Sequence, residues 1–123
     1  MDSSAWLEYF ADGPGAAFFA PAIEDTRRLV VPSLSLYEVF KRILQQRGEG
    51  AALSAVAIMQ QSEIVPLSAP LALSAASVSV EHRLPMADSI MYATALSFEA
   101  TLWTQDADFE HLPRVRFRRA SKR

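Results

Sequence analysis

The sequence predicts an α/β protein with three layers, an α/β/α sandwich in which helices cover both faces of a central, mostly parallel sheet. Short runs rich in β-branched and apolar residues alternate with longer segments of helical periodicity. Strands that alternate with helices form parallel sheets, because each crossover connection has room for a helix. The length of 123 residues is that of one domain, so we expect a single core over 1–123.

The first half of the chain predicts four helices and one strand. Aromatic and apolar residues at helical spacing in "SSAWLEYFAD" predict the first helix, which the segment Gly13 to Gly15 breaks. A second helix is expected over Ala16 to Thr26, followed by the strand "RLVVP", which Pro32 closes. The helical pattern of "SLSLYEVFKRILQQRG" stops at Gly48, and "AALSAVAIMQQ" predicts a further helix that forms a hairpin with it.

The second half continues the alternation. The segment "EIVPLSA" predicts a strand, and helices are expected over Leu71 to Glu81 and over Met86 to Phe98. The strand "TLWT" follows, and "VRF" (Val115 to Phe117) is expected as a last edge strand. Ligands of such sheets bind beyond the carboxyl ends of the strands, so functional residues are expected just after each strand.

The composition excludes several classes of site. The chain has no cysteine, which excludes disulfides, thiolate metal sites and cysteine nucleophiles. No apolar run reaches the roughly 18 to 20 residues of a membrane span, and "MDSSAWLEYF" lacks the pattern of a secretory signal. We therefore expect a cytoplasmic protein with no membrane partner, in which oxygen atoms are the abundant metal ligands.

Two acids in the chain have local structural explanations that compete with a functional one. Asp88 lies in the apolar stretch "LPMADSIMYATAL", where the first turn of a helix stabilises an acid by roughly 0.3 to 1 kcal/mol. Glu38 completes a capping box in "SLYE", with Lys41 and Arg42 as helix-surface partners. An acid buried among apolar residues must otherwise be paired, metal-bound or near an opening.

Two further acids have similar explanations. Asp106 follows the strand "TLWT", and either Asp106 or Asp108 is suited to cap a short helical turn in "DADFEHL". Asp2 precedes the first helix and serves equally as a helix-start charge. What favours function is the joint pattern, because all four acids are placed to meet at one edge of the sheet. Carboxylates brought together raise one another's pKa, so such a cluster is stable mainly when it holds a divalent metal.

Four segments carry a resemblance to a known family. The segments "DSSAW", "YE" in the third helix, "LPMADSIMYATAL" and "LWTQDADF" resemble the four acidic motifs of the PIN-domain ribonucleases. Their order and the chain length are most similar to the VapC toxins of bacterial type II toxin-antitoxin systems. The resemblance implies a PIN-like fold, hydrolysis of RNA with Mg²⁺ or Mn²⁺, homodimers, and inhibition by a VapB-like antitoxin whose C-terminal segment wraps the groove.

The resemblance also implies roles for individual residues. Position by position, it matches four acids to the metal-binding residues of the family: Asp2, Glu38, Asp88 and Asp106. Ser4 and Thr104 match its hydroxyl positions, and Asp108 is an accessory acid. We expect three acids to hold the first metal, directly or through water: Asp2, Asp88 and Asp106. Glu38 would orient water, act as a general base or support a second ion.

The basic end of the chain is a candidate RNA-binding region. The segment "RVRFRRASKR" holds six of the twelve Lys and Arg residues, although the net charge of the chain is -2. Four of its arginines are suited to bind phosphates: Arg114, Arg116, Arg118 and Arg119. The alternative explanation is a solvated basic tail, over about 118–123.

One departure from the family pattern leaves two questions open. An apolar strand normally precedes the first Asp in such proteins, whereas only Met1 precedes Asp2 here. Either the start shown lies downstream of the true one, or the fold tolerates the loss of that strand. The alternative function is a PIN-like binding or scaffold protein without nuclease activity, against which the four intact acids argue.

Overall fold

Helices and short strands alternate along the chain in a computed structural model, which describes residues 1–25 and 28–120. The elements in chain order are α1 (Ser3–Phe10), α2 (Ala16–Glu24), β1 (Val30–Pro32), α3 (Ser33–Arg47), α4 (Glu49–Met59), β2 (Glu63–Val65), α5 (Ala69–His82), α6 (Met86–Ser97), β3 (Leu102–Thr104) and β4 (Val115–Phe117). A 3₁₀ turn, Ala107–Phe109, follows β3. Each predicted helix and strand is present. The predicted end of the second helix, Thr26, and residues 121–123 of the basic tail lie outside the described residues.

The strands pair in parallel, as predicted, but in two separate pairs. Strand β1 pairs with β2, with Val31 opposite Ile64, and β3 pairs with β4, with Trp103 opposite Arg116. Over the described residues no strand joins the two pairs. The α/β fold with mostly parallel strands is confirmed, and among the described residues only the first two residues of the chain reach the position between β1 and β3.

The helices pack around the strands and form two apolar clusters. The first cluster lies among α1, α2, α3, α4 and β1, and its fully buried residues include Trp6, Phe19 and Val39. The second lies among α5, α6, β3 and the 3₁₀ turn, around Tyr92 and Phe109. Helix α6 contacts both β1 and β3, so it spans the two strand pairs. None of the described helices combines the length and apolar character that crossing a membrane requires.

The start of α3 differs from the predicted capping box. The helix begins at Ser33, directly after the extended residue Pro32, so Ser35 is already inside its first turn. The Ser35 side chain is fully buried, and its hydroxyl donates to Sδ of Met91 at 3.2 Å. The capping box is therefore wrong, and Glu38 is not held at a helix end by Ser35.

Candidate metal centre

Three carboxylates meet at the carboxyl end of β3. Asp88 stands in the first turn of α6, Asp106 follows β3, and Asp108 lies in the 3₁₀ turn. One oxygen from each of the three acids lies within 4.8 Å of those of the other two. Asp106 accepts a hydrogen bond from the Asp108 N–H at 2.9 Å, so the predicted cap of this turn is confirmed. The same turn therefore brings Asp106 and Asp108 to face Asp88.

The surroundings of Asp88 explain how an acid is accommodated in the apolar stretch that begins α6. The Asp88 side chain is half-buried at the start of α6. Desolvation, a hydrogen bond with Asp108 and the negative charges of Asp106, Asp108 and Asp2 together raise the pKa of Asp88 to about 8. In this position the negative charge of Asp88 is unfavourable unless a bound proton or a cation neutralises it.

Asp2 is buried beside the cluster, with hydrogen bonds to both of its carboxylate oxygens. Its Oδ1 accepts from the Ala5 N–H at 3.1 Å and from the Ser4 hydroxyl at 2.8 Å. Its Oδ2 accepts from the Thr104 hydroxyl at 2.6 Å. Burial raises the pKa of Asp2, whereas the hydrogen bonds from Thr104, Ser4 and Ala5 lower it. Asp2 is also the N-cap of α1, so the predicted helix-start role is confirmed, and the same residue lies beside the carboxylate cluster.

Thr104 connects Asp2 to the carboxylate cluster. Its hydroxyl oxygen, which donates to Asp2, also accepts from the Asp106 N–H at 2.8 Å. The Ser4 hydroxyl in turn accepts from the Gln105 N–H at 3.3 Å. These contacts fix the backbone that leaves β3, and they join the start of the chain to the segment that carries Asp106.

Glu38 is held by a residue that the sequence did not single out. The Ser3 hydroxyl donates to Oε1 of Glu38 at 2.6 Å, which ties α3 to the first turn of α1. "DSSAW" contains two adjacent serines, and neighbouring helical positions point in directions about 100° apart. Ser4 therefore donates to Asp2, and Ser3 donates to Glu38. The helix predicted after Asp2 was the feature of the sequence from which these different directions could have been inferred. Within the described residues no ion pair joins Glu38 to Lys41 or Arg42.

The donor set fits a hard divalent cation. Mg²⁺ and Mn²⁺ prefer carboxylate oxygens, and Mg²⁺ keeps several waters, so a few anchoring acids suffice. Asp88, Asp106 and Asp108 offer three such oxygens close together. Their mutual repulsion, expressed in the raised pKa of Asp88, is what a cation would relieve.

The four arginines near the C-terminus have different surroundings. The Arg118 N–H donates to the carbonyl oxygen of Thr104 at 3.0 Å, and its guanidinium donates to the Arg119 carbonyl at 3.2 Å. Arg116 lies over the Trp103 ring at 5.4 Å, and Arg119 pairs with Glu110 at 3.6 Å. Arg114 is exposed, with a φ of 63°. Their binding of RNA stays a prediction.

Comparisons with known proteins agree with the fold. The model of the PIN domain family matches residues 1–115. No curated protein matches the chain.

Two solved structures are similar to the chain over nearly its whole length. A toxin-antitoxin complex from Klebsiella pneumoniae has a TM-score of 0.78 at 21% identity, covering 93% of this chain and 92% of that chain. VapBC2 from Rickettsia felis, bound to a DNA fragment from its promoter, has a TM-score of 0.70 at 15% identity, with coverage of 94% and 93%. At these identities the likeness establishes the fold.

Proposed function

Because the chain belongs to the PIN-domain family, we propose that it is a divalent-metal-dependent endoribonuclease and the toxin of a toxin-antitoxin pair. The observation that carries the proposal is the convergence of Asp88, Asp106 and Asp108, whose oxygens lie within 4.8 Å of one another. Three clustered carboxylates are suited to bind a divalent cation, and a cation bound there would assist the hydrolysis of phosphodiesters.

In this proposal the three clustered acids hold Mg²⁺ or Mn²⁺. The ion, when bound, neutralises charge on the scissile phosphate and lowers the pKa of water. Asp88 has the largest change to make, because it must lose a proton that its pKa of about 8 lets it keep at neutral pH. Asp2, which the sequence assigns to the same ion, lies buried beside them and would hold it directly or through water, and Ser4 and Thr104 fix its orientation.

Glu38 is the candidate for orienting the attacking water. Ser3 holds its Oε1, so the side chain is restrained on the α1 side of the site, and no lysine or arginine within residues 1–25 and 28–120 forms an ion pair with it. A restrained carboxylate loses little conformational freedom when it binds water, which is the advantage of a preorganised site. Ser3 is then a positioning residue that acts through Glu38.

RNA is the proposed substrate, and the basic C-terminal segment is its proposed electrostatic guide. The acidic cluster repels a polyanion, so approach requires cations nearby. The backbone of Arg118 lies against Thr104, which itself contacts Asp2. The side chains of four arginines would bind RNA phosphates: Arg114, Arg116, Arg118 and Arg119. Each lost contact would lower the affinity for RNA and make that affinity less dependent on salt concentration.

The proposed partner is a VapB-like antitoxin. One of the similar structures is a toxin-antitoxin complex by name and the other is VapBC2, which supports such a partner. The proposal further includes a homodimer of one-domain chains in the cytoplasm.

The test is cleavage of total cellular RNA by the purified chain, freed of any co-purifying protein, at several Mg²⁺ and Mn²⁺ concentrations. We expect discrete fragments that disappear in EDTA and in Asp88→Asn. A matched control is Asp12→Asn, because Asp12 is exposed, lies outside the cluster and has a φ of 51°, which asparagine tolerates. Both variants are compared at equal thermal stability.

Each outcome decides the proposal. Cleavage by the wild type and Asp12→Asn, but not by Asp88→Asn, supports it. Cleavage by a stably folded Asp88→Asn protein would return Asp88 to its role at the helix start. Absence of cleavage by every sample would favour a binding or scaffold protein.

A further inference from the structure

The turn between α1 and α2 is held by one glutamate. This turn, "DGPG" (Asp12 to Gly15), joins the two helices. The Gly15 N–H donates to Oε2 of Glu8 at 2.7 Å, and the Gly13 N–H donates to the carbonyl oxygen of Glu8 at 3.0 Å. Glu8 therefore binds the backbone of the turn at both of its glycines.

Both glycines are required by the side chains that pack against them. A Cβ atom on Gly13 would collide with the Glu8 carboxylate. A Cβ atom on Gly15 would lie 2.9 Å from Oε2 of Glu8 and 3.0 Å from Nη1 of Arg118. Gly15 has a φ of -91° and a ψ of -2°, which residues with side chains also adopt in turns. Close approach, and not backbone conformation, therefore requires glycine there, and the Glu8 carboxylate and the Arg118 guanidinium lie against the same residue.

The face of α1 that carries Glu8 also carries a residue of the candidate metal centre. Ser4 and Glu8 are four positions apart, so they lie on one face of the helix, roughly 5–6 Å from each other. The Ser4 hydroxyl donates to Asp2 and accepts from the Gln105 N–H at the carboxyl end of β3. Glu8 is therefore about one helical turn away from the site.

Arg118 lies at the same end of the strands as the acids. Its N–H donates to the carbonyl oxygen of Thr104, and the Thr104 hydroxyl accepts from the Asp106 N–H. Arg114 lies at the other end of β4, since its carbonyl oxygen accepts from the Leu102 N–H at the start of β3. Of the two arginines that flank β4, Arg118 is therefore the one beside the acidic cluster.

Opposite charges favour the position of the Arg118 guanidinium beside Glu8. Both side chains are half-buried, and charges that are partly withdrawn from water interact more strongly than fully exposed ones. The guanidinium also donates to the carbonyl oxygen of Arg119 at 3.2 Å, which restrains it further. A restrained guanidinium loses little conformational freedom when it binds a phosphate, and its planar fork matches two phosphate oxygens.

We propose that Glu8 and the turn Asp12 to Gly15 form an arginine seat, which positions the Arg118 guanidinium to bind an RNA phosphate next to the one at the metal. This inference rests on the proposed function for the identity of the polyanion. Glu8 is a positioning residue that acts through Arg118. A carboxylate that acted on RNA directly would repel it, so the two roles predict opposite effects when the charge of Glu8 is removed.

The test measures binding of a labelled oligouridine to the purified chain in EDTA, over a range of salt concentrations. Glu8→Gln keeps an oxygen for the Gly15 N–H but removes the charge, and we expect RNA affinity to fall on the order of three- to tenfold. Arg118→Gln should weaken binding at least as much and should flatten the slope of log affinity against log salt by about 0.7. The double variant should bind no more weakly than Arg118→Gln alone, because Glu8 acts through Arg118.

Controls separate the seat from overall charge and from folding. Glu63→Gln and Arg28→Gln make the same charge changes at exposed positions near the amino ends of β2 and β1, away from the acids. Both should keep the wild-type salt dependence, and Glu63→Gln should bind RNA at least as tightly as wild type. Gly15→Ala should displace the ends of two flexible side chains without unfolding the chain, and should weaken binding as Glu8→Gln does.

The outcomes distinguish the seat from the nuclease. Unchanged or tighter RNA binding by Glu8→Gln would overturn the seat, and so would a double variant that binds more weakly than Arg118→Gln. A wild-type chain that binds no RNA would overturn it as well. The expected pattern of RNA binding in a chain that cleaves no RNA with Mg²⁺ or Mn²⁺ would support the seat and exclude the ribonuclease.

Discussion

The hydroxyl of Thr104 donates to Oδ2 of Asp2 at 2.6 Å, across 102 positions of sequence. The same hydroxyl oxygen accepts from the Asp106 N–H, so one side chain fixes both the buried acid and the backbone of the cluster. A buried carboxylate is costly unless its oxygens are hydrogen-bonded. Thr104 is therefore expected to matter for stability and for the site together.

Thr104→Val is expected to destabilise the protein by about 1–3 kcal/mol, because it leaves Oδ2 of buried Asp2 without its donor. Loss of a group that orients a metal-site carboxylate lowers metal affinity or activity by about 10–100-fold. Urea unfolding and RNA cleavage measure the two effects. Thr104→Ser keeps the hydroxyl and should retain most of the activity; equal losses in both variants would contradict the role of the hydrogen bond.

Ser3→Ala is expected to lower cleavage with little change in Tm. The Ser3 hydroxyl is only partly buried, so its removal costs little stability, but it releases Oε1 of Glu38. We expect kcat to fall while Mn²⁺ affinity, measured by calorimetry, stays near wild type, because the clustered acids are unchanged. Rescue by Ser3→Thr would support positioning through the hydroxyl, whereas an unchanged kcat in Ser3→Ala would exclude it.

Stability without metal is expected to fall as pH rises. The pKa of Asp88 is raised from an ordinary value of 3.8 to about 8 in the fold. The unfolded chain therefore releases this proton near pH 4, while the folded chain keeps it to about pH 8. The stabilising contribution is complete below about pH 4 and is lost progressively as pH rises to about 8.

Urea unfolding in EDTA between pH 5 and 8 measures this dependence. Asp88→Asn has no such proton, so its stability should decline less over the same range. A wild-type protein whose stability declines no more steeply across this range than that of Asp88→Asn would contradict the raised pKa.

Divalent binding is expected to show the opposite dependence on pH. A cation needs Asp88 ionised, so binding at pH 7 should release a proton and should strengthen as pH rises toward about 8. Calorimetry of Mn²⁺ binding in two buffers of different ionisation enthalpy counts the released protons. Asp88→Asn should bind more weakly and release fewer protons; an equal release would assign the proton to another group.

Phe109→Ala is expected to disrupt the site through the core. Phe109 is fully buried against Tyr92 and directly follows Asp108 in the 3₁₀ turn. Truncating a buried Phe costs about 3–5 kcal/mol. The turn that carries Asp106 and Asp108 would lose its anchor, so Mn²⁺ affinity should fall as well. Phe98→Ala, at a side chain that is 43% exposed, should have a much smaller effect on both measurements.

The sequence by itself determined the alternation of elements and the acids that follow them. Apolar periodicity located α3 and α6, because buried helix faces repeat every 3.6 residues. The joint placement of acids after strands predicted that four acids would meet, because the carboxyl ends of parallel strands lie at one edge of a sheet. Of these four, Asp88 and Asp106 lie in the group of carboxylates within 4.8 Å. Local patterns of this kind depend on neighbouring residues, which the sequence displays directly.

The tertiary structure decided which acids share a position and which hydroxyls hold them. Asp108 joins Asp88 and Asp106 because a 3₁₀ turn directs it there, whereas both oxygens of Asp2 are taken by hydrogen bonds. The "SLYE" pattern is typical of a capping box, yet Ser3, 35 positions away, binds Glu38. Only the packing of α1 on α3 and β3 brings such distant groups within hydrogen-bond reach.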